Sequence, residues 1–586
     1  MSTNLPPTGP PSGPPLGPPP SGPPSAPPPA GSAEVLEQGG GGPLPPGPPP
    51  TGSGGGRRKG LIIGGVIGFL AISGAAFGAY TWLTATGPQP AEALPANTLG
   101  YVSIDLDPSG SQKIAALKTL QKFPAADEWL DDEGISSGDD IREFVFGKIQ
   151  EEEGACEGLD FDDDIKPWLG DRFAIAAIDG ADDEPTPVGV VQVKDADQAQ
   201  DQVEQVIEDC GGNPDEGGLA VNGDWLIIAE TDDIAAQVAD DAAESSLADD
   251  EDFQKWTDAA GDPGILTAYV SKDAGKVIAE ELGGLGGVLS GGDTDCATSD
   301  DFTDGCLYEG DGLEDDVVPE EATEAFEDFG GMALKVRFDG GSLEVEVAAG
   351  TDAAGLNSFT SSDAGGEVIA TLPEGTAAAI GVGFEPGWAQ DLLDYVGEAS
   401  GTGADIDEFL DEAESELDLS LPEDAETLFG ESAAIAVGSD FDPEAFFNSE
   451  SGSLEIPIGA KIKGDTEAIQ EVVDKVKATA PSPEDAEIFS TDSDDDYIVI
   501  GPDPDYLSEL LGDGGLGDTD TYQDVVREDD ASSIFFVNFD AGGGWLANLA
   551  GDEPEVKDNL EPLAGLGLTG WEDDDIGHAV LRVTTD

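Results

Sequence analysis

From residue 94 onward, apolar side chains recur along the chain with two alternating periods. Val102, Ile104 and Leu106 stand at every second position, as do Ile380, Val382 and Phe384, so each set lines one face of a strand. Ile469, Val472, Val473 and Val476 follow instead the i, i+3, i+4, i+7 spacing of a helix, and Ala199, Gln202, Val203 and Val206 hold the aligned places earlier in the chain. Strands such as GVVQVKD and SLEVEVAA alternate apolar with polar residues, which favours antiparallel pairing. The order reads strand, helices, strand, strand, helix, two short strands, helix and further strands, and then repeats. That order predicts an α+β fold with mainly antiparallel sheets and helices packed on one side.

The repetition extends to residue identities. LPANTLGYVSIDLDP at 94–108 resembles LPEGTAAAIGVGFEP at 372–386, and IKPWLGDRFAIAAI at 165–178 resembles AETLFGESAAIAVG at 425–438. PVGVVQVKDADQAQDQVEQVIE from Pro187 matches PIGAKIKGDTEAIQEVVDKVKA from Pro457, and DWLIIAETDD from Asp224 matches DYIVIGPDPD from Asp496. TAYVSKDAG from Thr267 pairs with FFVNFDAGG from Phe535, and ALKVRFD from Ala333 with AVLRVTT from Ala579. Collinear matches of this kind predict two divergent α+β copies, 94–350 and 372–586, joined by a linker at 351–371, each of a size to form its own core.

Ahead of the copies the pattern changes twice. Residues 1–56 hold 20 of the 42 prolines within their first 50 positions and no Lys or Arg, the composition of a solvated polyproline-rich spacer. Such a tail also suits a proline-recognising cytoplasmic partner. Arg57, Arg58 and Lys59 follow, and within the segment 57–86 the run from Leu61 to Leu83 carries no charge. Its 23 residues, at a rise of ~1.5 Å each, reach about 35 Å, enough for one helix to cross a bilayer. Tyr80 and Trp82 then suit the far interface. The basic triplet places the amino terminus in the cytoplasm and everything beyond the span outside the cell. An uncleaved single-pass anchor is thus expected, in contact with lipid through residues 61–83.

Charge narrows the partners. Against 23 Lys and Arg stand 125 Asp and Glu, a formal charge of -102, which repels nucleic acid and anionic lipid and favours cationic or cell-envelope ligands. Cys156, Cys210, Cys296 and Cys306 all fall on the outer side, where an even count suggests disulfides. Of three connectivities, Cys156–Cys210 with Cys296–Cys306 is favoured, the second closing a short acidic loop. Zinc is disfavoured because no CxxC pair occurs and His578 is the only histidine.

No sequence motif nominates a catalytic, cofactor or metal residue. Asp105, Asp107, Ser109 and Gly110 imitate the start of a calcium loop, but Ala116 stands where its bidentate Glu belongs. Acidic groups at Asp162–Asp164, Asp492–Asp496, and Asp300, Asp301 and Asp304 are expected in so acidic a chain. His578 precedes the last expected strand, aligned with Met332, and reads as structural. GGLGGVLSGG at 283–292 lacks the Lys of a phosphate loop.

The Pro-rich tail, single span, LPA-T-YVSIDLDP opening and KPWLGDR segment together resemble an actinobacterial membrane-protein family known as domain of unknown function 3352. The likeness implies location and architecture, and no catalytic residue. The expected function is therefore a non-catalytic envelope binding or structural protein, not an enzyme. A carboxylate-dependent hydrolase of envelope glycans or peptides and a transmembrane sensor are the alternatives.

Overall fold

The structure, a computed structural model, describes residues 88–586 except 106–109, 133–139, 141, 144–145, 149, 151–158, 181–184, 210–216, 276, 278–328, 340, 351–363, 394–409, 411–418, 442–455, 513, 529, 550–553 and 574–575. The tail, Arg57, Arg58 and Lys59, the expected span at 61–83, all four cysteines and the 283–292 run lie outside the described residues. Among the described residues no helix is long and apolar enough to cross a membrane.

The strands are β1 (Thr98–Asp105), β2 (Leu169–Asp179), β3 (Pro185–Val193), β4 (Gly218–Asn222), β5 (Trp225–Ala229), β6 (Leu266–Val270), β7 (Met332–Asp339) and β8 (Ser342–Gly350) in the first half. The second half contributes β9 (Thr376–Gly383), β10 (Ser432–Gly438), β11 (Ile458–Lys463), β12 (Ser490–Ser493), β13 (Tyr497–Gly501), β14 (Ser533–Asn538), β15 (Leu563–Asp573) and β16 (Ile576–Thr585). They form one sixteen-stranded sheet in the order β12-β13-β11-β10-β9-β14-β15-β16-β8-β7-β6-β1-β2-β3-β5-β4. Read inward from either end, the two halves have the same strand order.

The α+β class holds, but the expectation of two separate domains is corrected to a single antiparallel sheet. β8 and β16 would each be the exposed edge of its half, with a row of unpaired amides and carbonyls; pairing them removes both edges. Residues 364–370, inside the expected linker, form a helix whose Val368 and Ile369 are buried in the second-half core.

Register relates the halves further. Tyr101, Tyr269, Ala333 and Ala348 form one cross-strand row, and Ala379, Phe536, Gly567 and Arg582 form the matching row. Tyr269 therefore corresponds to Phe536, one residue away from the pairing read in the sequence. The match of Ala333 with Ala579 joins β7 to β16, strands at different places in the order, whereas β15 is the counterpart of β7. At the seam, Ala579 faces Val347, Val580 faces Glu346 and Leu581 faces Val345. The outer two pairs exchange under a half-turn, so the Glu346–Val580 pair lies on a local twofold axis.

Helices cover both faces of the sheet, a second correction. On one face, here face A, α4 (Asp232–Glu244) and α5 (Glu251–Ala259) pack on the first half, while α6 (Ala364–Ala370), α9 (Pro504–Leu510) and α10 (Asp520–Val525) pack on the second. On face B lie α1 (Gly110–Leu120), α2 (Pro124–Asp132) and α3 (Ala196–Asp209) in the first half, and α7 (Glu423–Phe429) and α8 (Thr466–Thr479) in the second. The reason lies in strands such as WLIIA and YIVIG, which are apolar at consecutive positions. Ile227 enters the face A core and Leu226 the face B core, and Val499 and Ile498 divide likewise. The helical spacing read from Ile469, Val472 and Val473 buries all three in α8, whose amino end is capped by Asp465 accepting from the Ala468 amide at 3.1 Å.

Candidate functional site

The densest gathering of charge among the described residues is at the seam on face A. β7 brings Lys335 and Arg337, β8 brings Glu344 and Glu346, and β16 brings Arg582 onto that face, with Arg337 opposite Glu344 and Glu344 opposite Arg582. The Arg337 guanidinium pairs with both Glu344 and Glu346. Arg582 Nε and Arg527 Nε, the latter just beyond α10, each lie 3.2 Å from Glu344 Oε2. Glu344 is 0% exposed. Arg337 Nη1 also donates to the carbonyls of Ala260 (3.3 Å) and Asp262 (3.2 Å), and Lys335 Nζ donates to that of Gly261 (2.5 Å).

A buried carboxylate persists only when its charge is compensated, and three guanidiniums within ion-pair distance compensate that of Glu344. Burial, with Arg337 nearby, pushes the Lys335 ammonium below its ordinary pKa. With its charges closed against one another and capped by the turn after α5, the arrangement acts as a tie between halves.

The matching place in the other half is chemically different. Ala348 faces His578 and Arg582 faces Glu344, which makes His578 the counterpart of Glu344; Trp571, its cross-strand partner, is the counterpart of Arg337. His578 and Trp571 stack with ring centroids 4.9 Å apart and planes 3° from parallel. One half thus holds an ion pair where the other holds an aromatic stack. His578 lies within β16, and its counterpart is Glu344, not Met332.

Burial depresses the His578 pKa below its ordinary 6.5. As pH falls through 6.5 the unfolded chain takes up this proton before the folded one, so stability present above that value is lost toward lower pH. Thermal melts at pH 7.5 and 5.5 should show a smaller acid loss in His578→Gln than in the wild-type chain. Equal losses would remove this histidine as a source of acid sensitivity.

The acidic groups singled out in the sequence are absorbed locally. Asp105 pairs with Arg172 (2.9 Å), and Asp162 with Lys166 (2.5 Å). Asp164 accepts from the Asp160 amide, and Asp494 accepts from the amides of Asp496 and Tyr497. Asp300, Asp301 and Asp304 lie outside the described residues. Among the described residues no group of three His, Cys, Asp or Glu side chains is placed to hold a metal.

Face B carries a second feature. A continuous cross-strand row runs Ile500, Ala460, Ile435, Ile380, Phe535, Leu568, Leu581, Val345, Val336, Leu266, Ile104, Phe173. α1 and α2 cover its first-half portion at Leu266 and Val336. In the second half Ile435, Ile380, Phe535 and Leu568 remain 50%, 44%, 40% and 43% exposed.

Neither feature was nominated by the sequence. The seam left a readable trace: Lys and Arg two apart in ALKVRFD, and Glu and Glu two apart in SLEVEVAAG, are complementary when the strands pair. The exposed row left none, since an alternating apolar face reads the same whether or not a helix covers it.

No curated protein matches the chain, and no solved structure does. A family match spans residues 62–451, from inside the expected span to the connection between β10 and β11. The chain belongs to the family described as proteins of unknown function, DUF3352.

Proposed function

We propose that this is a membrane-anchored envelope protein whose folded region lies outside the cell and works by binding or structural support, without catalysis. The uncharged run at 61–83 behind Arg57, Arg58 and Lys59 supports the anchor and its orientation. The observation that carries the non-catalytic reading is the seam. There the most concentrated charges among the described residues are buried against one another, with Glu344 wholly enclosed. Their effect is mechanical: they fasten two halves into one slab. With strands ~4.8 Å apart, sixteen of them extend about 70 Å, so contact surfaces are held far apart on one body. A cationic envelope component is the partner class that the charge of -102 favours.

Protease added to intact cells should remove an epitope fused after Asp586 and spare one fused at the amino terminus. The reverse protection would overturn the orientation. In a hydrolysis screen of the full chain against envelope glycans and peptides, no turnover is expected; turnover abolished by a single Asp or Glu substitution would overturn the non-catalytic reading.

A further inference from the structure

The described chain begins inside a core. Pro90–Ala93 form a 3-10 turn in which Pro90, Ala91 and Ala93 are buried, and Ala91, Ala93 and Leu94 belong to the face A core of the first half. The Gln89 amide donates to Glu92 Oε1 at 3.0 Å and Pro90 opens the turn, so its start is fixed locally. Arg172 Nη1 donates to the Pro88 carbonyl at 2.5 Å, and Arg172 faces Asp105 at the end of β1. Further on, the Leu94 carbonyl accepts from the Leu247 amide at 2.7 Å, and the Pro95 carbonyl accepts from the Thr98 amide at the start of β1 at 3.1 Å. The entering segment therefore crosses face A antiparallel to β1, from the rim where β1 ends to the rim where it begins.

Cations gather at the rim of entry. Arg142 pairs with Asp140 and Asp171 at 2.7 and 2.6 Å, and donates to the carbonyls of Leu169 and Gly170 at the start of β2. Lys166 pairs with Asp162, and Arg172 with Asp105. Lys194, exposed just past β3, donates to the Lys166 carbonyl at 2.9 Å. In a chain with 23 Lys and Arg against 125 Asp and Glu, these four cations counter several carboxylates in one place. Countered carboxylates repel phosphate headgroups less than open ones do. The connection to the anchor is also short: from Leu83 to Pro88 is five residue steps, at most about 18 Å at ~3.6 Å each whatever the conformation.

We infer that the rim of entry rests on the headgroups of the bilayer that holds the anchor, with β1 and β2 rising away from it; this rests on the anchor proposed above. The slab stands on its strand ends, and the second half continues the sheet along the membrane surface. β2 has 11 residues, which at a rise of ~3.3 Å carry its far end, Asp179, about 33 Å further from the lipid.

The test replaces Lys194 at the rim of entry, or Asp179 at the opposite rim, with a small fluorescent amino acid. Each full chain is reconstituted into vesicles of phosphatidylcholine and phosphatidylglycerol whose headgroups carry a short-range quencher. The probe at 194 should lose most of its emission and the probe at 179 little. Equal quenching, or stronger quenching at 179, would overturn the inference while leaving the anchor intact. Failure of the chain to float with the vesicles would overturn the anchor and the inference together. In a second variant, ~20 Gly and Ser residues inserted before Pro88, with a reach of about 25 Å, should restore the emission at 194. Quenching at 194 that survives this insertion would overturn the short connection as what holds the rim down.

Discussion

Replacing Glu344 with alanine should lower the unfolding free energy by ~3–5 kcal/mol, the range found when one partner of a buried ion pair is removed. The loss arises because Arg337 and Arg582, both buried, and Arg527 lose their common counter-charge while remaining where they are. Arg337 still has Glu346, whereas Arg582 loses the carboxylate that lies 3.2 Å from its Nε. Arg582→Met should cost less, since Glu344 retains two guanidiniums and the methionine fills much of the vacated volume. A surface pair such as Lys272–Asp252, whose side chains are both exposed, provides the contrast at about 0–1 kcal/mol. Urea unfolding at low and high salt separates these cases, because salt screens the exposed pair far more than the buried one. A loss for Glu344→Ala no larger than that for Asp252→Ala would refute the seam as a stabilising tie.

Trp256→Ala should be comparably damaging, by ~3–5 kcal/mol. Trp256 is the last large side chain of α5, an element capped by Asp250 accepting from the Phe253 amide at 2.9 Å. Its indole Nε1 donates to the Gly330 carbonyl at 3.1 Å, and Gly330, Gly331 and Gly350 form the floor beneath the ring. Gly331 has φ +104°, and a Cβ there would run into the indole, so the backbone is shaped around this one side chain. Such a floor cannot collapse into the space left by alanine, which places the cost toward the upper end. Trp256→Phe keeps most of the apolar surface and should lose less, chiefly the hydrogen bond. Denaturant midpoints with unchanged slopes would report these differences; an alanine variant as stable as the phenylalanine one would show that the floor is not rigid.

Much of the fold was legible because local pattern and pairing agree. Tyr101 and Ala379 hold equivalent places in β1 and β9, and the matched openings at 94–108 and 372–386 pointed to both strands. What escaped was the use made of each face. In SLEVEVAAG the apolar residues suggest the inward side, yet Ser342, Glu344, Glu346 and Ala348 are the buried set and Leu343, Val345 and Val347 are only half-covered. Alternation identifies two faces without saying which is covered, and here salt bridges from a strand more than two hundred residues away decide it. The merging of two expected domains into one sheet is hidden for the same reason. Whether the last strand of a repeat ends as an edge or finds its counterpart depends on long-range pairing, and edge and interior strands share a pattern.

The pair Glu346–Val580 on the local axis bears on why the halves are one chain. At such a position a residue confronts its own counterpart, so two identical separate subunits would have to set glutamate against glutamate or valine against valine. Like charges directly opposite across strands are destabilising, and two valines would leave Arg337 with one acceptor fewer. Covalent linkage removes the self-pairing constraint. The central strands can then diverge in chemistry, ionic on one side and aromatic on the other, while keeping a common backbone frame.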